Sequence, residues 1–205
     1  VTVERQAQHE QAKIRPLRAD AQRNRDRLIE IATVAFADAG SEVALEEIAR
    51  SAQVGIGTFY RHFPSREALV LAVYRKQIRD LQDAAVELPL THSPADALRL
   101  WMRGFVEYGT VKRGLVALLR SMIQTETDTF DQARATLLES AGILMAAAAR
   151  AGEIRPDVAP GDVIRALGGI CMATDRPDSA GSAVALVDLV FDGLRYGAPA
   201  RASTR

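Results

Sequence analysis

The sequence predicts an all-α protein of about nine helices, a small three-helix head followed by a larger helical bundle. Three observations predict this. Apolar residues recur at helical spacing through most of the 205 residues. No run alternates polar and apolar side chains as a half-buried strand does. Pro and Gly gather mainly between the apolar stripes rather than within them.

The opening residues 1–19 lack a sustained apolar period and contain Pro16, so they are expected to form a mobile arm. A first helix is expected at 20–39, where Leu28, Ile31, Ala32, Ala35, Phe36 and Ala39 form one stripe. Gly40 ends it as a cap. A short helix follows at 45–52, with Leu45, Ile48, Ala49 and Ala52 on one face, then the turn Gln53-Val54-Gly55 and a third helix at 56–63. Pro64-Ser65 breaks the chain, and Ser65 caps a long fourth helix at 66–86 with Glu67 near its positive end. After a polar link at 91–94, helices are expected at 94–109, 112–124, 129–151, 160–174 and 181–197, before a frayed tail. The domain plan is therefore an arm (1–19), a head (20–66), a bundle (67–197) and a tail (198–205).

Composition limits the function. Hydrophobic residues make up 48% of the chain, enough for a core. Lys+Arg and Asp+Glu both number 26, which excludes an evenly positive coat. A nucleic-acid surface must come from local clustering. One cluster exists: Lys13, Arg15, Arg18, Arg23, Arg25 and Arg27 are set against only Asp20 and Asp26. The single cysteine, Cys171, excludes a disulfide framework or a Cys-rich zinc module. The longest apolar run, 143–149, falls far short of the ~20 residues that span a bilayer. Residues 1–22 lack the apolar stretch of a secretory signal. The expectation is a soluble, cytoplasmic protein with no membrane partner.

Residues 45–63, LEEIARSAQVGIGTFYRHF, carry the chemistry. Two short helices set at a large angle by a tight turn make a helix-turn-helix. Ile48, Ala49 and Val54 face inward, Ala49 is small enough for close approach, and Gly55 is expected to permit the turn into the third helix. Phe59 and Phe63, four apart, share the inner face of that helix. Ile56, Thr58, Tyr60, Arg61 and His62 lie on or near the other, and a solvent-facing Tyr beside Arg and His suits phosphates and base edges. Ile56, Gly57 and Thr58 form the helix start that enters the major groove in such motifs, with Gly57 bringing backbone N–H groups towards phosphate.

The segment GIGTFYRHFPSREAL resembles the DNA-binding head of TetR-family transcriptional regulators, whose pattern runs roughly Ala-Gly-Val-Ser-x-Gly-Thr-Leu-Tyr-x-His-Phe and then Lys-Glu-x-Leu. Val54, Gly57, Thr58, Tyr60, His62, Phe63, Glu67 and Leu69 match, as do 35–40 and 45–49 in the first two helices. Two hydroxyls usual in the family are missing. Gly55 stands in place of Ser, and Ala44 in place of a helix-capping Thr. The usual Lys is Arg66. Phosphate anchoring is therefore expected from Arg66, Tyr60, His62 and the basic segment, including Arg23 and Arg25.

Other chemistries find little support. Gly55-Ile56-Gly57 has Tyr60 at the third glycine position and no preceding strand, so it is no dinucleotide loop. His9, His62 and His92 stand far apart with no Cys partner, so no metal is expected. No catalytic triad, carboxylate pair or phosphate loop is visible, so neither enzyme activity nor a cofactor is expected.

The last two helices carry stripes that serve either an internal core or a partner. Ile164, Leu167, Gly168 and Cys171 lie on one, and Leu186, Val187, Val190, Phe191 and Leu194 on the other. The Gly168-Gly169 pair costs helix stability, which close approach of another backbone would explain. The resemblance implies that these helices form a homodimer interface matched to a palindromic operator. Cys171 itself reads as a buried small apolar residue. The middle helices hold Trp101, Met102, Phe105, Tyr108, Leu119, Met122, Leu137 and Met145. A plain core explains most of these. An adaptable, partly polar lining also suits an apolar or amphipathic small molecule, and the resemblance implies such a pocket.

The expected function is a sequence-specific DNA-binding transcriptional regulator, a repressor released from its operator when a small-molecule effector moves the fourth helix. The alternative is a helical small-molecule-binding or scaffold protein whose head no longer reads DNA.

Overall fold

A computed structural model of the chain describes residues 2–174 and 180–196. The side chains of 2–18, 41, 110–114, 116, 117 and 180 lie outside that description, as does the tail expected to fray at 198–205. Among the described residues are eight α-helices and two short 3-10 turns. The helices are α1 (Thr2–Ala39), α2 (Leu45–Ser51), α3 (Ile56–His62), α4 (Arg66–Glu87), α5 (Pro94–Met122), α6 (Thr127–Arg150), α7 (Pro160–Ala173) and α8 (Ala180–Arg195). The 3-10 turns are Gly40–Glu42 and Leu88–Leu90.

Two differences from the sequence reading have physical causes. Residues 2–19 are continuous with the first helix instead of forming a separate arm. They are rich in Glu, Gln, Ala and Arg, which favour helix without needing an apolar stripe. The helices expected at 94–109 and 112–124 are one helix, α5. Gly109 stands where the first of those two helices is expected to end. It lies inside the helix because α7 comes very close: a Cβ on Gly109 would collide with Cys171, its Sγ and, at 2.8 Å, its Cβ. Glycine is present to admit a neighbour, at a helix cost of about 1 kcal/mol.

The chain divides into two compact units, Val1–Val73 and Tyr74–Arg205. The division falls within α4, between consecutive residues, so the first two turns of that helix belong to the head. In the first unit Leu28, Ile29, Ala32 and Phe36 of α1 are buried, with Ile48 and Ala49 of α2, Phe59 of α3, Phe63 and Leu69, Val70 and Val73 of α4. α1 ends at Gly40, whose φ of 74° suits only glycine well.

In the second unit α5 packs against α6, α7 and α8, and α7 packs against both α6 and α8. Trp101 is the largest side chain in this core, and its indole N–H donates to the Leu81 carbonyl at 2.8 Å. A chain of rings runs Trp101, Phe105, Tyr108, Tyr74 and Phe130, with centroid separations of 5.3–6.3 Å. Burial pushes the Tyr74 phenol up and the Tyr108 phenol well up, so both stay neutral. Asp188 of α8 takes hydrogen bonds from Arg99 and Arg103 of α5 at 2.8–2.9 Å, a half-buried tie between the two helices.

Candidate nucleic-acid interface

α2 and α3 have seven residues each. Isolated helices that short are unstable in water, so their positions must be imposed from outside. Neither has a side-chain cap at its start, where Ala44 and Gly55 stand. The turn between them is held by backbone. Val54 N–H donates to Ala49 carbonyl at 2.9 Å and Gln53 N–H to Arg50 carbonyl at 3.0 Å, the paired bonds of a Schellman ending. The left-handed residue of that motif is Gln53, with φ 56°. The sequence reading placed the turn's glycine requirement at Gly55, which is extended (φ −62°, ψ 142°), a conformation open to any residue. Composition misled here: a Gly close to a turn is more visible than a Gln within it.

α3 splits into the two faces expected. Phe59 and the following Phe63 are at most 1% exposed. Ile56 is 41% and Tyr60 44% exposed, Gly57 and Arg61 are exposed, and Thr58 and His62 are half-buried. The Tyr60 ring stands edge-on to Phe59 at 5.4 Å, so it is braced at its base while presenting to solvent. A Cβ at Gly55 or Gly57 would meet nothing within 4 Å, and neither has a positive φ. The fold therefore does not need glycine at either position. Small residues on this exposed helix face leave room for a backbone to approach from outside.

The expected cations are less uniform. Arg25 of α1 sits over the Phe63 ring, 5.3 Å from its centroid. Arg23 pairs with exposed Asp20, a contact too weak to withhold it from phosphate. Arg66 donates to the Val43 carbonyl at 2.7 Å. The expected phosphate anchor is thus already engaged within the head. Lys13, Arg15 and Arg18 lie outside the described side chains.

In the second unit the expected partner-facing residues separate into two sets. Leu167, Cys171, Val187, Phe191 and Leu194 are buried within the chain itself. Ile164, Gly168, Leu186 and Val190 are half-buried. The most exposed apolar side chains of α7 and α8 are Met172 (77%) and Leu189 (67%), with Val184 also exposed and Tyr196 just beyond. Both faces of each helix are apolar, and a stripe in the sequence does not say which side is inside.

Trp101, Met102, Phe105, Tyr108, Leu119, Met122, Leu137 and Met145 are all buried. A cavity of about 400 Å³ lies elsewhere, at the start of α5, lined by Ser93, Asp96, Arg99, Glu153, Phe191 and Arg195 among others. It shares no residue with the expected lining. Among the described residues no group of three or more His, Cys, Asp or Glu side chains is placed to hold a metal. None of the described helices is long and apolar enough to cross a membrane.

A three-helix head whose third helix faces outward, joined to a helical bundle, defines the class of helix-turn-helix regulators. Residues 28–73 match the model of bacterial regulatory proteins of the tetR family, and residues 93–196 match the C-terminal domain of SbtR-like transcriptional regulators. The chain belongs to the TetR family, and as such is a transcriptional regulator rather than an enzyme. It is similar to the TetR transcriptional regulator SCO0520 from Streptomyces coelicolor, at 43% identity over 83% of this chain and 98% of that one, with a TM-score of 0.77. It is also similar to a TetR transcription regulatory protein from Mycobacterium vanbaalenii, at 39% identity over 88% and 99% of the two chains, TM-score 0.71. The HTH-type transcriptional regulator SAUSA300_2515 of Staphylococcus aureus (strain USA300) is 36% identical over 63 residues, 30% of this chain. That match spans only 34% of the Staphylococcus protein's length.

Proposed function

We propose that the protein binds a palindromic operator as a homodimer, represses from it, and leaves it when a small molecule occupies the second unit. The supporting observation is the outer face of α3. Ile56, Gly57, Tyr60 and Arg61 are displayed to solvent, and the fold has no use for a glycine there. Ile56 and Thr58 read bases at the start of the helix, while Tyr60, Arg61 and His62 meet backbone phosphates.

The second copy docks on the exposed side of α7 and α8, through Met172, Val184, Leu189 and the half-buried Ile164, Leu186 and Val190. Gly168 and Gly169 meet nothing within 4 Å inside the protomer, which leaves them open to a partner helix. The effector is assigned to the core of the second unit, where Met102, Met122 and Met145 re-pack at low cost. α4 is one helix running from the head into that unit and carries the signal. To turn a 99:1 population into 1:99, the effector must favour the released state by about 5.5 kcal/mol.

Selection of genomic fragments by the purified protein tests the reading. An inverted repeat should be enriched. Arg61→Ala should weaken every duplex alike and lower the slope of log affinity against log salt by about 0.9. Substitution at Ile56 or Thr58 should change which bases are chosen. If no fragment is enriched over bulk DNA, the head does not read sequence and the scaffold alternative takes over.

A further inference from the structure

The head contains an unpaired half of a capping device. Ala44 is the N-cap of α2 and makes no side-chain hydrogen bond. Glu47, three residues on, occupies the position that pairs with a Ser or Thr cap in the reciprocal capping box. The acid is present and the hydroxyl is absent. A helix of seven residues with that defect needs its first turn held by something else.

The remedy comes from 23 residues downstream. Arg66, the first residue of α4, donates from its guanidinium to the carbonyl of Val43, the residue immediately before Ala44, at 2.7 Å. Arg66 is itself well placed. Ser65 caps α4 by accepting from Ala68 N–H at 3.2 Å, and the Glu67 carboxyl is held below the usual carboxylate range, chiefly by backbone N–H and then by Ser65. A firmly capped helix thus reaches back to grip the start of an uncapped one.

We propose that Arg66 is a positioning residue of the head: by holding the Val43 carbonyl it fixes the start of α2, a task that Ala44 cannot perform, and so sets α2 against the recognition helix. Its worth to DNA binding is then through the geometry of the motif and not through a phosphate. The assignment of α2 rests on the free protein, while the consequence for DNA rests on the proposed function.

The test uses the full-length chain with Arg66→Gln, Ala44→Thr and the double variant. Thr at 44 completes the capping box with Glu47 in an exposed, extended position that tolerates it. The first readout is amide exchange of free protein at Glu47 and Ile48, whose N–H groups both bond the Ala44 carbonyl. Arg66→Gln should speed exchange there about tenfold, and adding Ala44→Thr should restore it. The second readout is affinity for a mixed-sequence duplex across a salt series. Affinity should fall in Arg66→Gln with the salt slope unchanged, and recover in the double variant. Unchanged exchange, no rescue by Ala44→Thr, or a slope lowered by about 0.9 would each overturn the assignment. Should Arg66→Gln not fold alone, folding of the double variant supports the proposal and its failure refutes it. Wild-type protein that binds no duplex sinks the proposed function instead, and exchange alone then decides the role of Arg66.

Discussion

Gly109 of α5 and Cys171 of α7 approach so closely that a methyl group on the glycine would stand 2.8 Å from the cysteine Cβ. This contact joins two of the bundle's principal helices. It also shows why a glycine was kept inside a 29-residue helix. Gly109→Ala should therefore destabilise by about 1–3 kcal/mol, since overpacking outweighs the gain in helix propensity. Urea unfolding measures it. Adding Cys171→Ala, which removes the sulfur, should recover part of the loss. A neutral or stabilising Gly109→Ala would contradict this packing.

Gln53 occupies the left-handed position that ends α2. A side chain there is strained by roughly 1–2 kcal/mol, partly offset by the extra freedom that glycine has in the unfolded chain. Gln53→Gly should raise stability by up to about 1 kcal/mol, read as a higher urea midpoint at constant slope. A clear loss would mean that the Gln53 side chain has a role its exposure does not suggest.

Asp188 responds to pH in a definite direction. Hydrogen bonds from Arg99 first, then Arg103, hold its carboxyl down to about 2. Its ordinary value is about 3.9, so its stabilising effect is complete above that range and is lost as pH falls towards 2. Asp188→Asn should be less stable than wild type at neutral pH, and the difference should shrink as pH falls from about 4 to about 2. Thermal melts across that range check this. A gap that stays constant would remove the ion pair as its cause.

The exposed side of α7 and α8 should govern self-association. Leu189→Glu places a charge on a side chain that is 67% exposed in the protomer, so folding should be intact. In a two-fold interface the change occurs twice, and association should weaken roughly a hundredfold or more. Sedimentation velocity at micromolar concentration reads the outcome. Unaltered association would place the interface on another face.

Local patterns in the sequence were enough for the helices of the head from residue 20 onward. The apolar stripe of α1, Gly40, the Pro64-Ser65 break and the Phe59/Phe63 pair depend on spacing and capping, which neighbours only a few residues away determine. The outward face of α3 was legible for the same reason: in a helix with two phenylalanines on one side, the other side is left for solvent. That family members share these residues at fixed spacing made the head recognisable.

Tertiary structure alone decided the rest. Helices α7 and α8 are apolar on more than one side, so only packing shows that Leu167 and Val187 are internal while Met172 and Leu189 face outward. Gly109 breaks nothing because a distant helix occupies the space where its side chain would be. Arg66 is suggested as a phosphate anchor by its position, and only the folded chain shows that it also donates to a carbonyl 23 residues earlier. A side chain's type and spacing follow from sequence, whereas its partner is chosen by segments that meet only after the chain has folded.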